Sequence, residues 1–451
     1  MTTSLHFSAA LLPAGWARDV RIELAQGCFG AIQTGVAARP EDQRHAAALP
    51  GLPNLHSHAF QRGMAGLAER RGASSDSFWT WREVMYRFVE RLTPDDLEAI
   101  AALAFAEMLE SGFTRVGEFH YLHHDPAGAP YAGPAMAEAL ASAATASGIA
   151  LTLLPVFYAH AGFGGAAPGE AQRRFVCSID QFARLREECC AALTNLPDAV
   201  LGLAPHSLRA VTLDELTALT TLAQGGPVHI HLAEQEAEVA ACLASSGARP
   251  AQWLLANAPV DARWCLVHAT HITQSESDAI AASGAVVGLC PITEANLGDG
   301  LFPAPKYLAA RGRWGIGSDS NVLIDAAEEL RWLEYGQRLS GQSRNVFAPG
   351  ADTSTGGALF RGALAGGSQA LGAPMAIAAG LSADFVTLDA AHPSLTGARN
   401  DGWLDGWIFA AGRCAIDGVW RRGVQVVADG RHVRRDAIAA RYRQTIARLL
   451  A

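Results

Sequence analysis

The sequence predicts an α/β fold, a (β/α)8 TIM barrel with a small accessory β domain built from both chain ends. Three observations predict it. Eight short apolar runs recur through the middle of the chain, with helix-like segments between them. Such runs read as strands buried on both faces, as in a parallel sheet, and eight alternations favour a barrel over an open sheet. Polar residues able to bind metal or move protons fall where these runs end, which is where barrel chemistry is carried. The two chain ends look different, with short strand-like pieces separated by turns.

Taken in order, residues 1–48 supply the N-terminal part of the accessory domain. Leu49–His58 is the first barrel strand and ends in His56-Ser57-His58. Alternate residues of a strand share a face, so the two imidazoles can grip one ion from one side. Thr93 caps a helix with Pro94 at its first position and Asp95 and Asp96 in its first turn, running to Gly112. Thr114–Tyr121, Ala150–Tyr158 and Ala199–Ser207 are the next strands. Thr212-Leu213-Asp214-Glu215 opens a helix with a capping box. Gly226–Glu234 then carries His229, His231 and Glu234; Cys265–Thr270 carries His268. Ala285–Pro291 and Trp314–Ser320 complete the set, the latter ending in Ser318-Asp319-Ser320. The barrel takes residues 49–374. In 375–451, Ala383–Asp389, Trp407–Ala410 and Val424–Val427 read as strands and Arg435–Leu450 as a terminal helix. Buried core helices can mimic short apolar strands, and the alternative for the chain ends is two unrelated appendages.

Composition narrows the function. Half of the 451 residues are hydrophobic, 18% are charged and the formal net charge is −9. There is no basic tract to bind nucleic acid and no apolar run of about 18 residues to span a membrane. An anionic substrate would need arginines placed locally. The eight cysteines form no Cys-x-x-Cys, and no signal peptide is visible at the start, so a reducing cytoplasm is the expected location. Lys306 is the single lysine and lies in a Pro-rich, loop-like segment.

Pro53-Asn54-Leu55-His56-Ser57-His58, His231-x-x-Glu234, His268 and Ser318-Asp319-Ser320 together resemble the amidohydrolase superfamily over essentially the whole chain. Further segments are similar to the formimidoylglutamate deiminase family within it. They are Ser57–Arg62, Phe78-Trp79-Thr80-Trp81-Arg82, Glu118–His124, Ala204-Pro205-His206-Ser207-Leu208-Arg209 and Cys290–Gly300. The resemblance implies Zn²⁺ as cofactor and N-formimidoyl-L-glutamate, a small dicarboxylate, as substrate.

Three imidazoles and one carboxylate suit one Zn²⁺ per chain with an open position for water. On the family pattern the ligands are His56, His58, His231 and Asp319. His229 shares a strand face with His231 but is expected to be structural. Glu234 is the expected general acid/base, able to take a proton from water and deliver one to the departing nitrogen. Asp319 is expected to orient or deprotonate the water while holding the metal, and His268 to hydrogen-bond the attacking oxygen or the developing tetrahedral centre. Arg82 and Arg209 can each offer a bidentate fork to a carboxylate. The resemblance also places Gln61, Tyr121 and His206 on the substrate. Taken singly, an arginine is usually a surface ion-pair residue and a glutamate a solvated helix-start residue. Ser320 and Asn321 either contact the amidine or brace Asp319, or simply cap the strand end. Cys290 reads as a buried thiol.

Three alternatives remain. A nucleobase or nucleoside deaminase would use the same metal site and could stack its ring on Phe78, Trp79 or Trp81, but the paired arginines argue for a small dianion. A two-metal relative needs a lysine at the fourth strand end, where Ala204-Pro205-His206-Ser207 has none. A non-catalytic barrel would be expected to lose part of the ligand set. Oligomeric state is not determined, and a homodimer is left open.

Overall fold

Runs in which every side chain is buried become the inner strands. Phe113–His120, Ala150–Phe157, Val228–Leu232 and Trp264–His268 are buried along their whole length. A strand buried on both faces must be covered by helices on one side and by other strands' side chains on the other, which favours parallel sheets with helical crossovers. The computed structural model describes residues 3–71 and 77–451 and shows an α/β fold of this kind.

One parallel sheet runs Leu52–Ser57, Phe113–His120, Ala150–Phe157 and Val200–Leu201, with Ala204–Pro205 also paired to Ala150–Phe157. The second runs Val228–Leu232, Trp264–His268, Val286–Leu289 and Arg313–Ile316. Their edges meet twice. Leu203 bridges to Val228 and Ser207 to His231 at one seam, and Ser57 bridges to Asp319 at the other. At the second seam the Asp319 N–H donates to His56 O and the His58 N–H to Asp319 O, both at 2.9 Å.

The third sheet has eight strands drawn from both chain ends. Thr3–Leu12 lies parallel to Gln43–Pro50, which pairs antiparallel with Phe385–Leu388. Its core is aromatic: the Phe385 and Trp420 rings stack at 4.7 Å with Phe7 and Phe29 packed beside Phe385.

Helix starts follow their capping residues. Pro94–Glu110 begins at Thr93, whose hydroxyl accepts from the Asp96 N–H while Asp96 returns to the Thr93 N–H. Leu213–Leu222 begins at Thr212 with Glu215 in the same reciprocal arrangement. The terminal helix Arg435–Leu450 docks on Pro94–Glu110, where Arg435 reaches Glu107 and Glu110 at 3.0 Å each.

Four sequence expectations are corrected. Trp407–Ala410 is not a strand: Trp407–Ala411 continues the helix Gly402–Gly406 as a wide π turn with Trp407 and Ile408 buried. A short apolar run has no period long enough to separate strand from buried helix. The first strand divides at Gly51 into Gln43–Pro50 of the mixed sheet and Leu52–Ser57 of the parallel sheet. A Cβ at Gly51 would stand 2.1 Å from the Thr114 hydroxyl, so the chain can pass there only as glycine. The fourth strand is two dipeptides, Val200–Leu201 and Ala204–Pro205, interrupted where Gly202 passes close to Pro227. Lys306 lies in the short helix Ala304–Ala309 rather than a loop. No helix among the described residues is long and apolar enough to cross a membrane.

Candidate active site

The ends of the parallel strands converge. His56 and His58 project from Leu52–Ser57 and the residue after it, His231 from Val228–Leu232, and Asp319 from the turn beyond Arg313–Ile316. Each of the four can offer one ligand atom, all within 4.8 Å of one another, and all four residues are buried. The His56 and His58 Nε2 atoms are 3.2 Å apart, and Asp319 Oδ1 lies 3.5 and 3.2 Å from them.

Hydrogen bonds orient the ligand atoms. His58 Nδ1 donates to Phe119 O at 2.8 Å and His231 Nδ1 to His206 O at 2.9 Å, which leaves each Nε2 facing the cluster. Burial pushes the His56 imidazole down to about 3 and, with the neighbouring imidazoles, holds His231 well below its ordinary value. Burial opposes ionisation of Asp319, but the adjacent His56 and His58 imidazoles hold its carboxyl well below the usual range. Three imidazoles converging on one carboxylate form a donor set suited to a metal ion.

The backbone at the strand ends is unusual. Ala233, His268, Asp319 and Asn321 have φ of 50°, 66°, 45° and 55°. Left-handed conformations cost energy for residues other than glycine and concentrate where side chains must be aimed. Asn321 holds the turn: its amide donates to Ser57 Oγ, His58 O and Asp319 O, each at 3.1 Å, and it accepts from Ser318 Oγ at 2.6 Å. Asn54 donates to Ser318 Oγ at 2.7 Å and accepts from the Ser318 N–H at 3.0 Å. Asn321 therefore braces Asp319, while Ser320 lines the cavity and shares a 2.9 Å hydrogen bond with Thr293.

His268 stands next to the cluster, with Nε2 3.7 Å from Asp319 and 3.9 Å from Glu234. Its Nδ1 faces Glu294 Oε1 at 3.2 Å. Burial alone would lower the imidazole, but Glu234, Glu294 and Asp319 raise it to about 10. Burial pushes the Glu234 carboxyl up to about 7, with His268 and Arg209 pulling the other way.

His58, His231, Glu234, His268 and Asp319 line a cavity that also contains all five expected substrate residues, Gln61, Arg82, Tyr121, His206 and Arg209. The Gln61 amide donates to Tyr121 Oη at 3.0 Å. His206 is held well below its ordinary value by burial and the Arg209 charge. The Arg82 guanidinium lies 4.8 Å from the Trp79 ring centre and 5.4 Å from that of Tyr86, and Arg209 lies 5.8 Å from Trp79. Trp79 thus places two cations at one mouth.

His229 stands apart from the cluster, its Nε2 donating to Ala370 O at 2.8 Å. The Cys290 thiol is buried, which pushes it well above its ordinary value. Sequence reasoning assigned no role to Glu294, which aims His268, or to Glu118. Glu118 Oε1 accepts from the Ala59 N–H at 2.7 Å beneath the His56–His58 turn, and burial raises its carboxyl to about 7. Both lie inside motifs that carry the family resemblance. Tyr86, Tyr158 and Phe175 also line the cavity, and no local signal singles them out.

Comparison with known proteins identifies the family. The amidohydrolase family profile matches residues 47–427, and the profile "Formimidoylglutamate deiminase HutF, N-terminal domain" matches residues 2–46. A formimidoylglutamate deiminase of Pseudomonas aeruginosa is 51% identical over 454 residues, covering 99% of this chain and 100% of its own length. A crystal structure described as an amidohydrolase from Brucella melitensis superposes with a TM-score of 0.97 at 55% identity, covering both chains fully. An adenosine deaminase from Xanthomonas campestris with bound zinc has a TM-score of 0.81 at 22% identity over 99% of this chain and 98% of its own, which speaks to the fold alone. The chain belongs to the amidohydrolase family and, within it, to the formimidoylglutamate deiminases.

Proposed function

We propose that this chain hydrolyses N-formimidoyl-L-glutamate to N-formyl-L-glutamate and ammonia, using one Zn²⁺ held by His56, His58, His231 and Asp319. The observation that carries this reading is the presence of Arg82 and Arg209 in the same cavity as the histidine–aspartate cluster and Glu234. A dianion would find two guanidinium forks and the hydrolytic groups in one cavity. The donor atoms of His56, His58 and Asp319 stand 3.2–3.5 Å apart, close enough for one ion to be held among them.

When bound, the metal supplies Lewis acidity that acidifies water near neutral pH. The remaining work falls to the chain. Arg82 and Arg209 hold the two carboxylates, and Gln61, Tyr121 and His206 add polar contacts along the substrate. Glu234 takes a proton from the attacking water and delivers it to the nitrogen that leaves as ammonia. Its carboxyl, raised to about 7 by burial, suits both directions of transfer. His268, protonated at neutral pH and aimed through Glu294, donates toward the attacking oxygen and stabilises the charge that develops at the tetrahedral carbon.

The architecture read with this site is a closed (β/α)8 barrel over residues 49–374. The bridges at both seams between the parallel sheets support it. Residues 1–48 and 375–451 form one accessory β domain in this reading, supported by the eight-stranded sheet that they share.

The test is ammonia release by purified, zinc-loaded protein from N-formimidoyl-L-glutamate, guanine, adenosine and cytosine. Turnover of the dicarboxylate alone is expected. Preference for a neutral base would replace this reading with the nucleobase deaminase.

A further inference from the structure

Glu238 belongs to no part of the site described so far. It lies in the first turn of the helix Glu236–Ser246, and its side chain is completely shielded from solvent. One carboxylate oxygen, Oε2, accepts from the backbone N–H of Glu234 at 3.1 Å. The other, Oε1, faces Arg209 Nε at 3.9 Å, and neither of these two buried atoms has a hydrogen-bond partner. Buried polar atoms without partners are rare and costly. A pair of opposite charge facing each other just beyond hydrogen-bond reach is a poised contact rather than a settled one.

We propose that Glu238 is a positioning residue that ties the acid/base carboxylate Glu234 to the carboxylate-binding guanidinium of Arg209. The proposal rests on the function given above. Oε2 fixes the backbone of Glu234 at the point where Ala233 turns left-handed with φ of 50°. Oε1 faces the Nε edge of Arg209 at 3.9 Å and leaves its terminal N–H groups free for the substrate. A buried arginine needs a counter-charge. The carboxylate that acts most strongly on Arg209 is Glu238, and the next is Glu234. Without Glu238, the guanidinium would turn to Glu234, which would immobilise the group that has to move protons and withdraw the fork from the substrate. One side chain thus keeps anchor and acid/base apart and in register.

The experiment is a kinetic cycle on zinc-loaded protein: wild type, Glu238→Gln, Arg209→Met and the double variant. Each is assayed with N-formimidoyl-L-glutamate and with the two analogues in which one carboxylate is a carboxamide. Glu238→Gln is expected to lower kcat/KM for the dianion by about tenfold or more, the scale of one charge-assisted contact. The loss should shrink to about twofold or less on the analogue lacking the carboxylate held by Arg209. Adding Arg209→Met to Glu238→Gln should cost far less than Arg209→Met costs in the wild type. Glu238→Asp, which keeps the charge with a shorter reach, should recover part of the KM; should Glu238→Gln not fold, Glu238→Asp carries the same cycle. Equal losses on all three substrates, additive losses with metal content retained, or a lower KM for the dianion in Glu238→Gln would each overturn the proposal. Failure of the wild type to release ammonia from N-formimidoyl-L-glutamate overturns the functional reading as well, whereas turnover with additive losses overturns the Glu238 assignment alone.

Discussion

Glu234 and His268 face each other at 3.9 Å with their proton affinities pushed up by different causes, burial for the carboxyl and surrounding carboxylates for the imidazole. That arrangement gives a group able to exchange a proton near neutral pH beside one that keeps its proton. Glu234→Gln should retain the metal, since Glu234 is outside the ligand cluster, and lose about 10²–10⁴-fold in kcat because an amide cannot shuttle a proton. Elemental analysis beside steady-state rates checks both halves. In the same cavity, Arg82→Met and Arg209→Met should each lower kcat/KM by about ten- to a hundredfold, the worth of a charge-assisted bidentate contact of roughly 1.5–3 kcal/mol. An amide in place of one substrate carboxylate should harm the wild type badly and the matching arginine variant far less. That crossed comparison also reveals which arginine holds which carboxylate.

At the scale of elements, the metal cluster depends on how closely a helix approaches a strand. The helix Thr355–Ala370 lies directly on Arg313–Ile316, the strand that leads to Asp319. A Cβ at Gly366 would stand 1.8 Å from Trp314 O, and one at Gly367 would stand 2.4 Å from the Pro53 ring. Backbone cannot give way as a flexible side chain can, so Gly366→Ala should destabilise the protein by about 1–3 kcal/mol or more. Displacing the strand should also weaken metal retention through Asp319. Gly350→Ala meets no atom within 4 Å and serves as the control, with an expected effect within about 0.5 kcal/mol. Thermal melting and metal content of the two variants check the contrast. The same closeness explains what was legible at this level. Strands buried along both faces announce themselves as apolar runs, whereas Trp407–Ala411 is a helical turn that buries Trp407 and Ile408, and composition alone does not distinguish the two.

Across the whole molecule, the proposed ligands come from both parallel sheets, so a bound ion would clamp them at the Ser57–Asp319 seam. A ligand that binds only the folded state stabilises it by RT ln(1 + [L]/Kd), about 4 kcal/mol at a thousandfold excess over Kd. Purified protein should contain about one zinc per chain. Chelation should lower the thermal midpoint, and one equivalent of zinc should restore both midpoint and activity. Two tightly held ions in the active protein, or a midpoint unmoved by chelation, would contradict a single clamp.

The sequence by itself determined the alternating strand order, the capped helices and the polar residues at the strand ends, because burial, capping and alternate-residue spacing are local and leave a pattern in the chain. It also carried the cluster His56, His58, His231 and Asp319 and the cavity residues Gln61, Arg82, Tyr121, His206 and Arg209 as candidates, through spacing and family likeness together. Only the tertiary structure decided which atoms meet. Glu294 reaches His268 across 26 residues and Asn54 reaches Ser318 across 264. Glu238 is only four residues from Glu234, yet its other oxygen faces an arginine from a different strand end. His229 and His231 share a strand and a residue type, but one bonds the backbone of Ala370 and the other joins the cluster. Periodicity assigns a side chain to a face; the depth at which it lies and the partner it meets are set by how the strands are staggered against one another, and no local stretch of sequence contains that offset.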